Sequence, residues 1–521
     1  MKKIQHPIPL HPLFIAIYPI VFLLSYNISQ INPTQALRPI AISVAVAFFL
    51  TFLFGAAAKN YGQGGLSASI LLALFFTYGH VHRWLEANLS NFANHALLLI
   101  LWLFLLVIGM LLKYKIRDIE ITTKYLNIIS FVLILQPIFS IVFFIAQSGV
   151  PEEIKPPSPF ENIQPSLSEV NFDTPDIYYI ILDAYGRADV IEELFSYDNV
   201  DFIHYLEERG FYIAEQSRSN YVQTSLSLAS SLNLNYLGEA EDVESGDRDP
   251  LAELIQHSEV RSYLEGQGYQ TVAFATGYGP STLADADIFI SYHPNLINDL
   301  EGLILRTSVT RAMGDKMQNL FLPFLCDTQR DGILNIFENL KNVPDLPGPK
   351  FVFAHILSPH PPFIFDADGN AVKHGDCNGL DGTSFEGSRD DYEEGYSQQI
   401  AYISKLTKDL IESILTNSTT PPVIIIQGDH GSGMLLDLNS SENSCLRERT
   451  ANLNAYYIPS AKDNLLYKEI SPVNSFRVVF NEVFDLKLPL LDDRSYYSAW
   501  DKPYQFEDIT DKIETSCQME K

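Results

Sequence analysis

The stretch VIIIQGDHGSG, residues 423–433, decides how the C-terminal two thirds of the chain is read. An aliphatic run stops abruptly at Gly428, Asp429 and His430, and two more glycines follow. A short apolar run bounded by turn residues has the form of a strand buried on both faces. A carboxylate and an imidazole at its carboxyl end stand where ligands gather in open α/β sheets. The same ending recurs: IYYIIL (177–182) runs into Asp183, and KFVFAHIL (350–357) runs into Ser358 and His360. TVAFAT (271–276) supplies another such strand, and the segments 188–210 and 392–415 between these runs carry helical spacing. Strands alternating with helices predict a mainly parallel sheet covered on both faces.

Asp183, Asp429 and His430 offer oxygen and imidazole ligands of the kind that hold Zn²⁺, Mn²⁺ or a similar dication. Each alone would equally close a turn or cap a helix. Their joint placement at strand ends favours a site, and the glycines after His430 let the backbone turn sharply away from it. Thr224, in SNYVQTSLSLASSLNLNYL (219–237), opens a helical stretch after the strand-like FYIAEQ (211–216). A hydroxyl there lies among free N–H groups at the positive end of the dipole, as a nucleophile or as a simple N-cap.

Outward from this region the composition changes. The first 150 residues hold five strongly apolar stretches, His11–Tyr26, Leu37–Ala58, Leu66–Tyr78, Ala96–Leu112 and Leu126–Ala146. About 20 apolar residues are needed to cross a bilayer, so the third is short unless it extends into GQGG before it or GHVH after it. No small-residue cleavage site follows the first stretch, which reads as a retained helix rather than a signal peptide. With the N-terminus inside, Lys2, Lys3, Lys59, Lys113, Lys115, Arg117 and Lys124 face the cytoplasm, and Arg38 and Arg83 fall outside. Five spans then carry the chain out of the cytoplasm after Ala146, whereas four would reverse its side.

The expected organisation is a transmembrane helical domain over 1–147, a Pro-rich semi-extended linker over 148–176 and an extracytoplasmic α/β domain over 177–521. The stretch 281–346 is the least periodic, and its NLFLPFLCD (319–327) is expected in a core. A net charge of −28 leaves no basic stripe for nucleic acid. All four cysteines, Cys326, Cys377, Cys445 and Cys517, lie in the outer domain, where disulfides form; three pairings are open. GDHGSG is not a G-x-S-x-G elbow, and no P-loop or dinucleotide fingerprint occurs.

The order IILDAYGR, then Thr224 at a helix start, then HILSPHPPF, then GDHGSG resembles the sulfatase-like branch of the alkaline phosphatase superfamily. NLNAYYIP and SPVNSFRVVFNEVF (471–484) are similar to the ends of such domains. With helices ahead of an outer domain, the architecture resembles lipoteichoic acid synthases, phosphoglycerol transferases and lipid A phosphoethanolamine transferases. The resemblance implies Thr224 as nucleophile, and Asp183, Thr224, Asp429 and His430 as ligands of one divalent metal (Mn, Zn or Mg). It implies that His360 holds the substrate's charged group or assists the leaving group. Arg187, four residues beyond Asp183, stands to meet an anionic substrate or to form a surface ion pair.

Two departures bear on activity. The first metal position is Asp183, as in sulfatases and phosphatases, where the resembled transferases usually carry Glu. Thr224 is followed by SLSL, without the Pro and Arg of a formylglycine setting, and CDTQR (326–330) has Thr where that Pro belongs. The expected function is transfer of a phosphoglycerol- or phosphoethanolamine-type head group to an envelope lipid or glycan. An ester hydrolase of the same fold is the alternative, and a non-catalytic envelope scaffold comes third. The apolar helices carry almost no ionisable residues at mid-depth, which argues for anchoring over transport.

Overall fold

The computed structural model describes residues 7–28, 33–88, 94–147, 154–160, 174–239, 247–292, 298–313, 329–372, 381–385, 387–459, 465–515 and 517. Contacts divide the chain into two compact units, Met1–Ser148 with Asn295–Phe324, and Gly149–Pro294 with Leu325–Lys521.

The first unit begins with five apolar helices, α1 (His11–Tyr26), α2 (Leu37–Ala58), α3 (Tyr61–Asn88), α4 (His95–Leu112) and α5 (Ile119–Gln147). The third apolar stretch extends in both directions into a 28-residue helix. Its leading glycines have a packing role: a Cβ on Gly64 would lie 2.4 Å from the Gly55 nitrogen of α2, so only glycine lets the two backbones meet. Four helices are long and apolar enough to cross a membrane, and the 16-residue α1 is the short one. Arg83 lies inside α3, not in a loop. Helix α4 buries only Leu98 and leaves Leu97, Ile100, Leu103 and Phe104 exposed, the surface of a helix whose solvent is hydrocarbon.

The second unit is an α/β domain. Its elements are β1 (Ile177–Leu182), α6 (Ala188–Phe195), α7 (Val200–Glu208), β2 (Tyr212–Ile213), α8 (Thr224–Leu232), α9 (Asp249–Gln256), α10 (Glu259–Gly266), β3 (Gln270–Phe274) and β4 (Ile288–Ile290). After α11 (Asp299–Thr307) come α12, described over 329–340, then β5 (Lys350–Ile356), α13 (Arg389–Asn417), β6 (Val423–Gln427), α14 (Leu446–Thr450), β7 (Asn454–Tyr457) and α15 (Pro472–Phe484).

The sheet order is β2-β7-β6-β1-β5-β3-β4. The strands from β6 to β4 are parallel, and β7 and β2 join antiparallel. Alternation along β1 assigns the two cores: Tyr178, Ile180 and Leu182 pack with α6, α7, α12 and α13, while Ile177, Tyr179 and Ile181 pack with α8, α9, α10 and α15. Strands covered on both faces have no polar side, which is why the sequence shows continuous apolar runs.

The segment 188–210 breaks into two helices at Ser196, which takes a left-handed φ of 51°. The linker is not free over its described part, because Ile154 is fully buried and Phe160 stacks on Tyr263 and Phe480.

Helix α11 belongs to the helical unit, although β4 precedes it and α12 follows it. Leu300 is buried with Ile20, Leu23, Leu24 and Ala36, and Asn298 caps the helix while its amide donates to the Gln35 carbonyl at 3.0 Å. The Arg38 guanidinium grips both oxygens of Glu301. NLFLPFLCD, Cys326 and Cys377 lie outside the described residues; Cys445 and Cys517 form a disulfide.

Candidate metal centre

Strands β1, β5 and β6 are the middle of the sheet, and the candidate residues emerge from their carboxyl ends. The Asp183 N–H donates to the Ile356 carbonyl at 2.9 Å, which extends the β1–β5 ladder by one residue. Ala184 then takes a left-handed φ of 62° and aims its N–H at Asp429 Oδ1, 3.0 Å away. A non-glycine residue in this region is costly by roughly 1 kcal/mol, so the turn is held by its surroundings. Those include the Tyr396 hydroxyl, which donates to the Ala184 carbonyl at 2.7 Å.

The backbone bends at Asp429 and His430, without a positive φ at the glycines around them. A Cβ on Gly428 would sit 2.3 Å from the Tyr185 carbonyl oxygen, on Gly431 2.0 Å from that of Glu448, and on Gly433 2.2 Å from Asp381 Oδ2. Close approach is the requirement. The loop is gripped from below by Glu448, whose carboxylate accepts from Ser432 Oγ at 2.6 Å and from the Met434 and Leu435 N–H groups at 2.8 and 2.9 Å. Burial pushes Glu448 up to about 7.

Asp183, Asp429 and His430 are buried and bring ligand atoms within 4.8 Å of one another. Asp183 Oδ1 and Asp429 Oδ2 are buried oxygens without a hydrogen-bond partner among the described residues. Such a pair is costly unless something positive sits between them. His430 Nε2 lies 3.2 Å from Asp429 Oδ2 and 3.8 Å from Asp183 Oδ1. Its Nδ1 is 2.9 Å from the Gly431 carbonyl, which fixes the proton there and leaves the Nε2 lone pair facing the carboxylates. Burial and the Arg449 charge lower the His430 pKa, which favours the neutral, metal-binding imidazole. The donor set therefore fits a divalent cation.

Thr224 is the first residue of α8, and the N-cap position belongs to Gln223. The Thr224 hydroxyl lies 3.0 Å from His430 Nε2. His360 is held by its N–H on the Asp183 carbonyl at 3.0 Å and by Nδ1 on the Pro361 carbonyl at 2.6 Å, with Nε2 3.6 Å from Asp381. Burial disfavours its charge, yet the carboxylates of Asp183 and Asp381 raise its pKa above the usual value. Burial likewise opposes the charge on Asp183, but His360, His355 and His430 hold its carboxyl well below the usual range. Arg187 sits apart from these contacts: it donates to both oxygens of Asp189 and to the Ser217 carbonyl. Ser358 is fully buried, and its hydroxyl has no partner among the described residues.

The fold adds residues that sequence reasoning missed. Arg449, from α14, donates to Asp381 at 2.7 Å and to the Val222 carbonyl at 2.8 Å, and its Nη2 stands 3.0 Å from His430 Nε2, whose lone pair it would yield to a bound cation. Asp381 also accepts from the Tyr392 hydroxyl at 2.8 Å. His355, within β5, lies 3.3 Å from Asp183 Oδ2. An imidazole inside the otherwise apolar KFVFAHIL was the one available signal; Arg449 and Glu448, in LRERT, read as solvated charges.

Among solved structures the chain is similar to the C-terminal periplasmic domain of EcEptC from Escherichia coli, at 10% identity over 69% of this chain and 96% of that one, with a TM-score of 0.43. A zinc complex of that domain matches at a TM-score of 0.44, with 10% identity over 71% of this chain and 99% of that one. The integral membrane lipooligosaccharide phosphoethanolamine transferase A from Neisseria meningitidis matches over 91% of this chain and 95% of its own, at 12% identity and a TM-score of 0.39. The sulfatase yidJ of Bacteroides fragilis, so described in its structure as a presumed sulfatase, matches at 13% identity over 66% and 85%, with a TM-score of 0.39. No family model and no curated protein matches the sequence.

Proposed function

We propose that this chain is a membrane-anchored, metal-dependent enzyme of the sulfatase-like type that transfers a phospho-head-group through Thr224. The observation that supports it most is the convergence of two unpartnered buried carboxylate oxygens, a tautomer-fixed imidazole and a helix-start hydroxyl 3.0 Å from that imidazole. The same reading places the α/β domain outside the cytoplasm, with 1–147 as the anchor. Its substrates are lipids or glycans of the envelope.

Asp183, Asp429, His430 and the Thr224 oxygen would hold the cation. When bound, it supplies a lowered pKa at the Thr224 hydroxyl and positive charge beside the phosphoryl oxygens. Thr224 Oγ1 attacks phosphorus, a new P–O bond forms, and the ester P–O bond to the lipid breaks. His360, whose charged form is favoured, gives the departing alkoxide its proton. Arg449, held by Asp381 and the Val222 carbonyl, adds positive charge beside the same site. The phospho-threonine then passes its group to an acceptor hydroxyl. The side chain at the first metal position is Asp183, and water as acceptor would make the same site a hydrolase.

Full-length protein is incubated with Mn²⁺, Zn²⁺ or Mg²⁺ and labelled phosphatidylethanolamine, phosphatidylglycerol or a generic sulfate ester, and wild type and Thr224→Ala are weighed intact. A metal-dependent adduct on wild type alone supports the reading and names the donor. Ester turnover that survives in Thr224→Ala overturns the nucleophile. Absence of reaction with every donor and metal favours the scaffold.

A further inference from the structure

Asp183, Asp429 and His430 each carry two polar side-chain atoms, and the structure divides their work. One atom faces the cluster and the other is anchored to the protein. For Asp429 the anchor is the Ala184 N–H on Oδ1, and for His430 it is the Gly431 carbonyl on Nδ1. Both anchors are backbone groups, independent of any neighbouring side chain. Asp183 differs: its Oδ1 faces the cluster, and its Oδ2 lies against the side chain of His355.

We infer that His355 is a positioning residue that orients Asp183 for the metal, an inference that rests on the metal-dependent reading above. His355 is fully buried in β5 and stands beside Ile181 of β1, on the face of the sheet that carries α8. Its Nδ1 is 2.7 Å from Ser281 Oγ. The other partners of that serine, the Tyr278 carbonyl and Thr276 Oγ1, both lie at 3.2 Å, half an ångström farther than the imidazole, and the carbonyl already receives the nearer Thr276 and Thr282 hydroxyls. The Ser281 proton therefore goes to the imidazole, which places the ring's own proton on Nε2.

That Nε2 is buried and has no partner of good geometry, and Asp183 Oδ2, at 3.3 Å, is the acceptor it faces. The contact is longer and less well aligned than the two backbone anchors. Among the described residues it is the acceptor that a buried N–H, costly to isolate, has before it. A serine, an imidazole and a carboxylate thus form a line that ends on the ligand atom. A second line of support comes from the Tyr278 ring, packed edge-on to His355 at 6.0 Å, which limits rotation of the imidazole away from Asp183. The alternative is a core histidine satisfied by Ser281 alone, and the two differ in what happens to the metal.

The test uses full-length wild type, His355→Leu and His355→Gln. Dissociation constants for Zn²⁺ and Mn²⁺ are measured by competition with a chromophoric chelator, alongside the unfolding midpoint of each metal-stripped protein. His355→Leu should weaken metal binding by about 10–100-fold, as loss of an outer-shell partner does. His355→Gln, whose Nε2 can donate from a similar position, should recover most of that loss. Ser281→Ala, which frees Nδ1 without touching Asp183, should weaken metal binding less and in the same direction; it also serves if the leucine variant does not fold. The inference is overturned if His355→Leu binds metal as wild type does, or if the leucine and glutamine variants lose affinity equally and in step with a lower midpoint. A wild type that binds neither ion overturns the metal reading and this inference together. If the variants behave as expected and no phosphoryl donor reacts, the anchor stands and the transferase reading falls.

Discussion

Replacing Arg449 by methionine tests the buried electrostatics of the site most directly. Arg449 and Asp381 are paired at 2.7 Å, and their side chains are only 6% and 8% exposed. Solvent screening therefore discounts the interaction little. Methionine keeps much of the volume and removes the charge, which leaves Asp381 buried with only the Tyr392 hydroxyl and the more distant His360. Breaking one side of such a pair costs about 3–5 kcal/mol. At about 2 °C per kcal/mol for a domain of this size, the midpoint should fall by roughly 6–10 °C at pH 7. The cost should also depend on pH. Burial opposes the Asp381 charge, but Arg449 and His360 hold its carboxyl below the usual value in the native state. That stabilisation is present above the ordinary carboxylate pKa and is lost as pH falls toward the depressed one. In the variant, burial acts without Arg449, so Asp381 protonates more readily and acid relieves the strain. The difference between wild type and variant should thus shrink as pH falls from 7 toward 4. Midpoints of the full-length, metal-stripped proteins, followed by intrinsic fluorescence in detergent, check both parts. A shift under 1 °C at pH 7, or a shift that is constant with pH, would refute the argument.

Glu448 has the opposite sign. Its pKa rises from 4.5 to about 7 on folding, so its contribution is full below 4.5 and is lost as pH climbs through 7. The whole effect is at most about 3 kcal/mol, and Glu448→Gln should flatten that slope in a pH series of unfolding midpoints. Gly431→Ala forces a Cβ to 2.0 Å from one backbone oxygen and 2.7 Å from another, so the loop must move; metal affinity, measured by chelator competition, should fall at least tenfold. The Cys445–Cys517 bridge closes 72 residues, so removing it with Cys517→Ser should cost about 4 kcal/mol, read as a lower unfolding midpoint.

What could be read from the sequence was whatever the fold writes in contiguous residues. Strands buried on both faces appear as apolar runs, and the first polar residue after such a run marks the carboxyl edge. Asp183, Asp429 and His430 could be placed at one edge on that ground alone. Thr224 was ambiguous between cap and nucleophile because both roles need a helix start. The structure gives the cap position to Gln223 and sets the Thr224 hydroxyl 3.0 Å from His430 Nε2, which removes the simple N-cap reading. Arg449, Asp381 and Glu448 were illegible for a different reason. A charge in a short polar segment such as LRERT looks solvated, and only tertiary packing brings Arg449 to 5%, Glu448 to 1% and the distant Asp381 to 8% exposure.

The stretch 281–346 resisted reading because it does not belong to one unit. The periodicity of an α/β domain comes from elements that each bury a face against a common sheet. Residues 298–313 bury theirs against α1, α3 and the entry to α2, among side chains as apolar as their own. With no sheet to impose a two-residue alternation, and partners supplied by residues some 260 positions earlier, the local sequence carries only a capping box and a few leucines. The bidentate Arg38–Glu301 pair shows the same thing in charge. Glu301 reads as an ordinary acidic residue in the first turn of a helix, and Arg38 as an outer-loop charge that orients a span. Their pairing makes one residue of each serve the fold of the helical unit, which neither sequence neighbourhood could have disclosed.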